Sequence, residues 1–377
     1  MPRRVPIAIF LSTFQPGGTE RQTIELIRRL SRDRFDVHAV CFEATGAWQS
    51  RVEGSAASIA AFPIHGLGRP ATFAQAHAFG RWCRTRDIKI VYTADFYTNV
   101  FALPAAAVAG VPVRLGSRRE INAGKRASQL AVQRAAYACA QGVIANCTAA
   151  AERLAGERVP RSRIHVVPNG IDLAPYGLRP GPRPIRRLAI VANLRPEKAH
   201  EVLFAAVRMV LRRVPDVELV VAGEGPRRAE LEALASAMEI APRVRFLGHC
   251  EDVPGLLAGC DAFVLTSISE AFPNSVLEAM ASGLPVVASR VGGLTELIEH
   301  QRTGVLVPPG DARALAYALL DLMQWDTHAY GLGVAARRAV EARFSFERMV
   351  AAFERLYLDH LARHERAVPA ASEVVAS

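Results

Sequence analysis

The stretch Glu270-Ala271-Phe272-Pro273-Asn274-Ser275-Val276-Leu277-Glu278 sets two carboxylates around one loop-to-helix junction. An apolar run, Ala262–Thr266, leads into it, and a helix is expected to begin near Pro273 or Asn274. Pro suits a first helical turn, and Asn or Ser can cap it. The N–H groups and positive dipole end of such a helix suit phosphate oxygens. Glu278, about one turn inside, is then suited to accept hydrogen bonds from the vicinal hydroxyls of a sugar. Spacing alone fits a loop acid and a surface helix residue equally well. Arg195-Pro196-Glu197-Lys198 puts two cations before another helical pattern. There Arg can grip a diphosphate bidentately and Lys can act as a point charge. Lys198 is one of only three lysines, with Lys89 and Lys125, among 46 basic residues. Gly17 and Gly18, between Pro16 and Thr19, allow a ligand to approach the backbone closely, and Gly292-Gly293 offers the same before a later helix.

Other chemistries lack their residues. Gly223-Glu224-Gly225-Pro226-Arg227-Arg228 has Arg where a dinucleotide fingerprint needs its third glycine. There is no Walker lysine motif, Gly-x-Ser-x-Gly elbow, His-Glu-x-x-His or Asp-x-Asp pair, and the ten histidines are isolated. No protein metal site and no cofactor are expected.

Two α/β domains are expected to hold these loops. In the first half, runs at Pro6–Leu11, Val37–Phe42, Ile88–Thr93, Val111–Leu115, Gly142–Ala145 and Ile164–Val167 alternate with helical patterns. After Arg179-Pro180-Gly181-Pro182-Arg183-Pro184, six more runs begin at Arg187, Val217, Val244, Ala262, Pro285 and Gly304. This alternation predicts two doubly wound parallel sheets, with ligands at the carboxyl ends of the strands. The expected division is 1–180, 181–344, and a helix at 345–366 packing back on the first domain. A disordered tail is expected at 367–377.

At 377 residues, 50% of them hydrophobic and 22% charged, the chain can bury two cores. Six scattered cysteines predict reduced thiols, and the N-terminus lacks a secretory pattern, so a cytoplasmic protein is expected. No apolar run reaches the ~20 residues of a membrane span. Residues 1–180 hold 24 basic and 12 acidic residues, a net of +12, whereas 181–377 net −2. Such asymmetry suits a membrane face, a lipid phosphate or a nucleic acid. Arg114, Arg118, Arg119, Lys125 and Arg126 concentrate the charge.

In this order, the segments resemble the retaining glycosyltransferases of family 4, with the two-domain GT-B fold. The likeness runs from Ile7 to about Leu358. Further matching pieces are Val166-Val167-Pro168-Asn169-Gly170-Ile171-Asp172, Val221–Pro226, Arg245–Gly248 and Leu306–Asp311. The resemblance implies that Arg195 and Lys198 hold a nucleotide-sugar's diphosphate in place of a metal, and that Glu270 faces the donor sugar. Phe272, Asn274 and Ser275 would lie near its hydroxyls and phosphate, and Glu278 at the ribose. Gly248 would border the base, and Gly17 and Gly18 would approach the diphosphate. A UDP-sugar is favoured over a GDP-sugar. Asn193 and Ala271 stand where the family commonly has Gly, and Ala94 where many relatives carry His. Asp95, Arg118 and Arg119 are the acceptor candidates. The Gly116–Glu120 loop resembles a subgroup that assembles polysaccharides and lipid-linked oligosaccharides. It implies a glycan or lipid-linked acceptor and a peripheral contact with the anionic inner leaflet, and no nucleic acid. Two other readings are a sugar-nucleotide epimerase on this fold and a catalytically idle sugar-nucleotide-binding protein.

Overall fold

The computed structural model describes residues 4–121 and 125–367. The chain divides into two compact units. Unit 1 runs to Gly170 and takes up the chain again from Phe346, and unit 2 is Ile171–Ser345.

Unit 1 carries β1 (Val5–Leu11), α1 (Gly18–Arg29), β2 (Phe35–Cys41), β3 (Ser58–Ala61), α2 (Pro70–Thr85), β4 (Ile90–Thr93), α3 (Phe96–Val108), β5 (Val113–Arg118), α4 (Ala127–Ala138), β6 (Gly142–Ala145), α5 (Thr148–Gly156) and β7 (Ile164–Val166). Its seven-stranded parallel sheet has the order β3-β2-β1-β4-β5-β6-β7. The near-continuous apolar β1 reflects burial on both faces. Ile7, Ile9 and Leu11 join one core with Ile24 and Leu26 of α1, while Ala8 and Phe10 join another with Phe79 of α2 and Phe101 of α3.

Unit 2 carries β8 (Arg187–Val191), α6 (His200–Leu211), β9 (Glu218–Ala222), α7 (Arg228–Ala237), β10 (Val244–Gly248), α8 (Val253–Ala258), β11 (Ala262–Leu265), α9 (Asn274–Ala281), β12 (Val286–Ser289), α10 (Leu294–Leu297), β13 (Val305–Val307), α11 (Ala312–Gln324) and α12 (Asp326–Arg343). Its parallel sheet runs β10-β9-β8-β11-β12-β13. The strand order therefore reverses between β1 and β4 in unit 1 and between β8 and β11 in unit 2. These are the switch points where doubly wound sheets bind ligands.

The last helix, α13 (Phe346–Ala367), belongs to unit 1. Phe346, Met349, Val350, Phe353 and Tyr357 complete the core that holds Ile7 and Ile24. The expected tail at 367–377 begins inside this helix at Ala367, and 368–377 lie outside the described residues.

The boundary falls ten residues before the expected 180/181. The Pro- and Gly-rich stretch is fastened to unit 2: Arg179 Nη1 donates to Asp261 O at 2.6 Å, and Arg183 Nε to Asp261 Oδ1 at 2.8 Å. The chain returns from unit 2 beside its entry point. Ile171 and Ser345 form a parallel bridge, and Ile171 N donates to Phe344 O at 2.8 Å.

Candidate active site

In unit 2, the loops after β8 and β11 flank the switch point and are laced together. Ile268 N donates to Glu197 O and Thr266 Oγ1 to Lys198 O, each at 2.9 Å. Lys198 ends a short 3-10 turn, Pro196–Lys198, and Ala199 follows at φ +47°, a left-handed conformation that turns the chain into α6. This geometry aims Lys198 Nζ at Glu270 Oε1, with which it forms an ion pair. Ser267 Oγ donates to the same oxygen at 2.6 Å. Glu270 is 9% exposed, and its carbonyl accepts from Gly293 N at 3.2 Å, which ties in the second Gly-Gly loop. Arg195 stands at the mouth of the same turn, with its side chain exposed.

Helix α9 begins at Asn274. Its N-cap, Pro273, provides no side-chain cap, so Asn274 and Ser275 present the helix start without a competing side chain from that position. Phe272 is buried and packs on Phe344 at 5.5 Å. Glu278 is also buried, at 5% exposure. The Cys250 thiol, in the loop after β10, is pushed up by burial and by Asp252, with a smaller contribution from Glu278. That loop starts at Gly248, φ +73°, where the pairing with β9 is irregular and a side chain would be strained.

Beneath the site, His200 is fully buried with neither ring nitrogen hydrogen-bonded. Burial, with Arg227 and Lys198 nearby, holds it down at about 4, so at neutral pH it adds no charge next to Lys198. Gly223 and Gly225 serve packing. Side chains there would come within 2.0 Å of Ala192 O and 2.5 Å of Leu194 O.

In unit 1, the switch-point loops hold Gly17, Gly18 and Asp95. An ideal Cβ on Gly17 would lie 2.1 Å from Glu20 Oε2, so this glycine makes room for a carboxylate folded back over the first turn of α1. Gly17 sits at φ −164°, an extended conformation open to any residue, and the Glu20 carboxylate that a side chain there would meet could swing aside. Burial raises the Glu20 carboxyl against the pull of its own N–H; Asp95 raises it further and Arg119 lowers it. Asp95 caps α3, accepting from Thr98 N at 3.0 Å and from Ser12 Oγ at 2.8 Å. Burial raises its carboxyl as well, against these hydrogen bonds.

The two acceptor arginines separate. Arg118 is 1% exposed and grips Glu157 bidentately at 3.0 and 3.2 Å, while its Nε donates to Glu120 O at 2.8 Å. The expectation that Arg118 faces an acceptor is corrected, because its guanidinium is consumed by a buried ion pair. Arg119 instead rests on neutral partners, Asn169 Oδ1 at 2.9 Å and Tyr92 OH at 3.1 Å, and its Nε has no partner. Most of the remaining basic run is also committed. Arg114 donates to Cys139 O at 2.6 Å, and Lys125 pairs with Glu120. The expectation missed Ser267, Tyr92 and Asn169 as partners. Only Asn169 carried a signal, in its Pro-Asn-Gly-Ile-Asp segment.

Among the described residues, no three His, Cys, Asp or Glu side chains converge as a metal site. None of the six cysteines is in a disulfide. No described helix is long and apolar enough to cross a membrane.

Comparison with known proteins agrees with this arrangement. The family described as Glycosyltransferase Family 4 matches residues 16–175, and Glycosyl transferases group 1 matches 185–324. N-acetyl-alpha-D-glucosaminyl L-malate synthase of Bacillus anthracis is 34% identical over 171 residues, 45% of each chain. The matches to the first curated relatives span about half of those proteins' lengths. The UDP-Gal:alpha-D-GlcNAc-diphosphoundecaprenol alpha-1,3-galactosyltransferase of Escherichia coli is 24% identical over 91% of this chain and 94% of that protein. Anabaena HepE, crystallised with UDP, superposes with a TM-score of 0.82 at 23% identity, covering 94% of this chain and 100% of that one. These likenesses show the two-domain, Rossmann-like GT-B fold.

Proposed function

Because the chain belongs to the family-4 glycosyltransferases, we propose that it moves a sugar, with retention, from a nucleotide-diphosphate donor to a hydroxyl of a glycan or lipid-linked acceptor. The observation that carries this reading is the Lys198–Glu270 pair at the unit 2 switch point, beside the start of α9. In the reaction the anomeric carbon leaves the diphosphate oxygen and bonds to the acceptor oxygen. The nucleoside diphosphate departs with the bonding electron pair, and the acceptor's proton is released to it.

Lys198, Arg195 and the α9 N-terminus stabilise the negative charge that grows on the leaving group. Glu270, held by Ser267, accepts from the donor sugar's hydroxyls, and Glu278 from the ribose. The loop at Gly248 borders the base. Gly17 and Gly18 offer backbone N–H groups to phosphate oxygens in unit 1. Cations from the protein replace a metal, so transfer persists in EDTA; activity that vanishes and returns with Mg2+ would refute this account. A UDP-sugar is the favoured donor, as the UDP held by Anabaena HepE suggests.

Arg119 is the acceptor's anion anchor, because its hydrogen-bond partners are neutral and its Nε is unpaired, although Glu20 lies within its electrostatic reach. We place the enzyme in the cytoplasm, in peripheral contact with an anionic leaflet. That contact draws on exposed Phe73 and Tyr97, in the first turns of α2 and α3, and on cations outside the 114–126 run such as exposed Arg69 at the N-cap of α2.

A thermal-shift screen of UDP-, GDP- and ADP-sugars, followed by product analysis, tests the proposal. A matched donor at about 100 times its Kd adds roughly 2.7 kcal/mol to stability. An epimerised donor, or no turnover with any acceptor, would overturn it.

A further inference from the structure

The segment that closes unit 1, Pro168-Asn169-Gly170, has no task in the transfer chemistry, yet side chains from α1 and from the end of β5 hold it in place. Gln22 of α1 is 2% exposed and grips both backbone groups of Gly170. Its Nε2 donates to Gly170 O at 3.0 Å, and its Oε1 accepts from Gly170 N at 2.9 Å. Phe346, where the chain re-enters unit 1, crowds the same residue: a Cβ on Gly170 would lie 2.7 Å from Phe346 Cδ1. A backbone pinned in this way fixes the neighbouring Asn169, which is 4% exposed and accepts from Arg119 Nη1 at 2.9 Å.

The second post under Arg119 is Tyr92 OH, at 3.1 Å, on a ring packed against Phe353 and Tyr357 of α13. Both posts are neutral. Arg118, one residue earlier, shows the alternative, a guanidinium buried against the Glu157 carboxylate that cancels its charge. Among the described residues Arg119 forms no ion pair, and Glu20 and Arg119 influence each other only through space. An amide oxygen accepts from a guanidinium much as a carboxylate oxygen does, but leaves the charge in place. The half-buried Arg119 therefore keeps both its charge and the N–H groups that Asn169 and Tyr92 do not use.

We propose that Asn169 and Gln22 are positioning residues for the acceptor's anion anchor. Gln22 sets the backbone of the Pro168–Gly170 segment, and the Asn169 amide orients Arg119 without neutralising it. An amide rather than a carboxylate at position 169 then lets the site favour acceptors that carry phosphate over neutral ones. This rests on the reading that Arg119 meets the acceptor's anion. A buried Asn and a buried Gln also serve a fold simply by satisfying polar groups. The two roles predict opposite orders among the variants, because only the positioning role depends on the charge at position 169.

The test titrates the full-length protein with inorganic pyrophosphate, in the presence of UDP to fill the donor site, and follows binding by calorimetry. Saturable binding is expected, and Arg119→Gln should abolish it. Asn169→Asp keeps the shape but sets a carboxylate against Arg119, and should weaken pyrophosphate roughly tenfold or more. Asn169→Ala removes the post and spares the charge, so it should weaken binding only about fivefold while lowering Tm more than Asn169→Asp does. Gln22→Leu frees the Gly170 backbone and should also weaken binding about fivefold. If both residues only support the fold, the isosteric Asp variant binds better than the more disruptive Ala variant, and that order overturns the proposal. So does binding that survives Arg119→Gln, wild-type affinity in Asn169→Asp or Gln22→Leu, or no pyrophosphate binding at all. Turnover plays no part in these readouts, so a failure to transfer sugar counts against the transferase reading alone.

Discussion

Replacing Glu157 by Gln decides what Arg118 does. The side chain keeps its shape and loses its charge, leaving the Arg118 guanidinium at 1% exposure without a counter-ion. Breaking a buried pair by removing one partner costs about 3–5 kcal/mol. Gln can still accept one hydrogen bond, so the lower end, about 3 kcal/mol, is expected. For domains of 150–250 residues each kcal/mol moves Tm by roughly 2–4 °C, which gives a fall of about 6–12 °C. The two units need not unfold together, so the assay must report on unit 1 alone. A Trp325→Phe background supplies this, because the remaining tryptophans, Trp48 and Trp82, both lie in unit 1. Thermal melts followed by their fluorescence should show the fall, with the acceptor KM unchanged in folded protein. Replacing both partners, as Arg118→Met with Glu157→Leu, should recover most of the loss. A shift below about 2 °C, combined with a raised acceptor KM, would show that Arg118 serves the acceptor and that the ion-pair reasoning is wrong.

Glu278→Gln should weaken donor binding by about 10- to 150-fold through loss of a charge-assisted hydrogen bond, while Glu270→Gln should mainly lower kcat; wild-type kinetics in both would misplace the site. Acid should destabilise both units. His200 in unit 2 and His360 in unit 1 are held at about 4, against an ordinary 6.5, by burial; for His360 the facing His165 and Arg363 add to the effect. Each contribution is complete above pH 6.5 and is lost as pH falls toward 4, at most about 3 kcal/mol per group. His360→Asn should therefore flatten the acid limb of the unit 1 melting curve, and an unchanged limb would refute the assignment. Finally, the protein should co-sediment with vesicles containing anionic lipid and leave them as salt rises. Phe73→Ser with Tyr97→Ser should weaken that binding, whereas indifference to lipid charge at low salt would remove the membrane contact.

The parallel strands were readable where burial on two faces demanded continuous apolar runs, as in β1, β11 and β12, and the partly buried edge strand β10 was readable despite its exposed Arg245. Strand β3, Ser58–Ala61, was missed because an edge strand of Ser, Ile and Ala has no such run. Helix α12 was missed because its interface is made by small residues. Gly333 lies so close to Gly283 O that a Cβ there would be 2.0 Å away, a contact hydropathy does not mark. In the site, residue type and position beside a strand end pointed to Lys198 and Glu270. Pairing could not be read in the same way. A run of Arg and Lys looks identical whether its cations face solvent or, like Arg118, are buried against a carboxylate 39 positions away.

The Ile171–Ser345 bridge makes unit 2 an uninterrupted insert whose two ends meet. Synthesis therefore reverses the usual order of domain maturation. Unit 1 emerges from the ribosome first but lacks the Phe346–Tyr357 side of its core until 175 residues of unit 2 have followed. At 5–20 residues per second that wait lasts roughly 10–35 s, during which the face that α13 later covers is open. Unit 2 has all its own residues and can close first, although it is encoded second. A nascent chain stopped before Phe346 should thus hold a finished unit 2 and a unit 1 whose core is still open where α13 belongs, which makes the arrival of α13 the step that completes the first half of the protein.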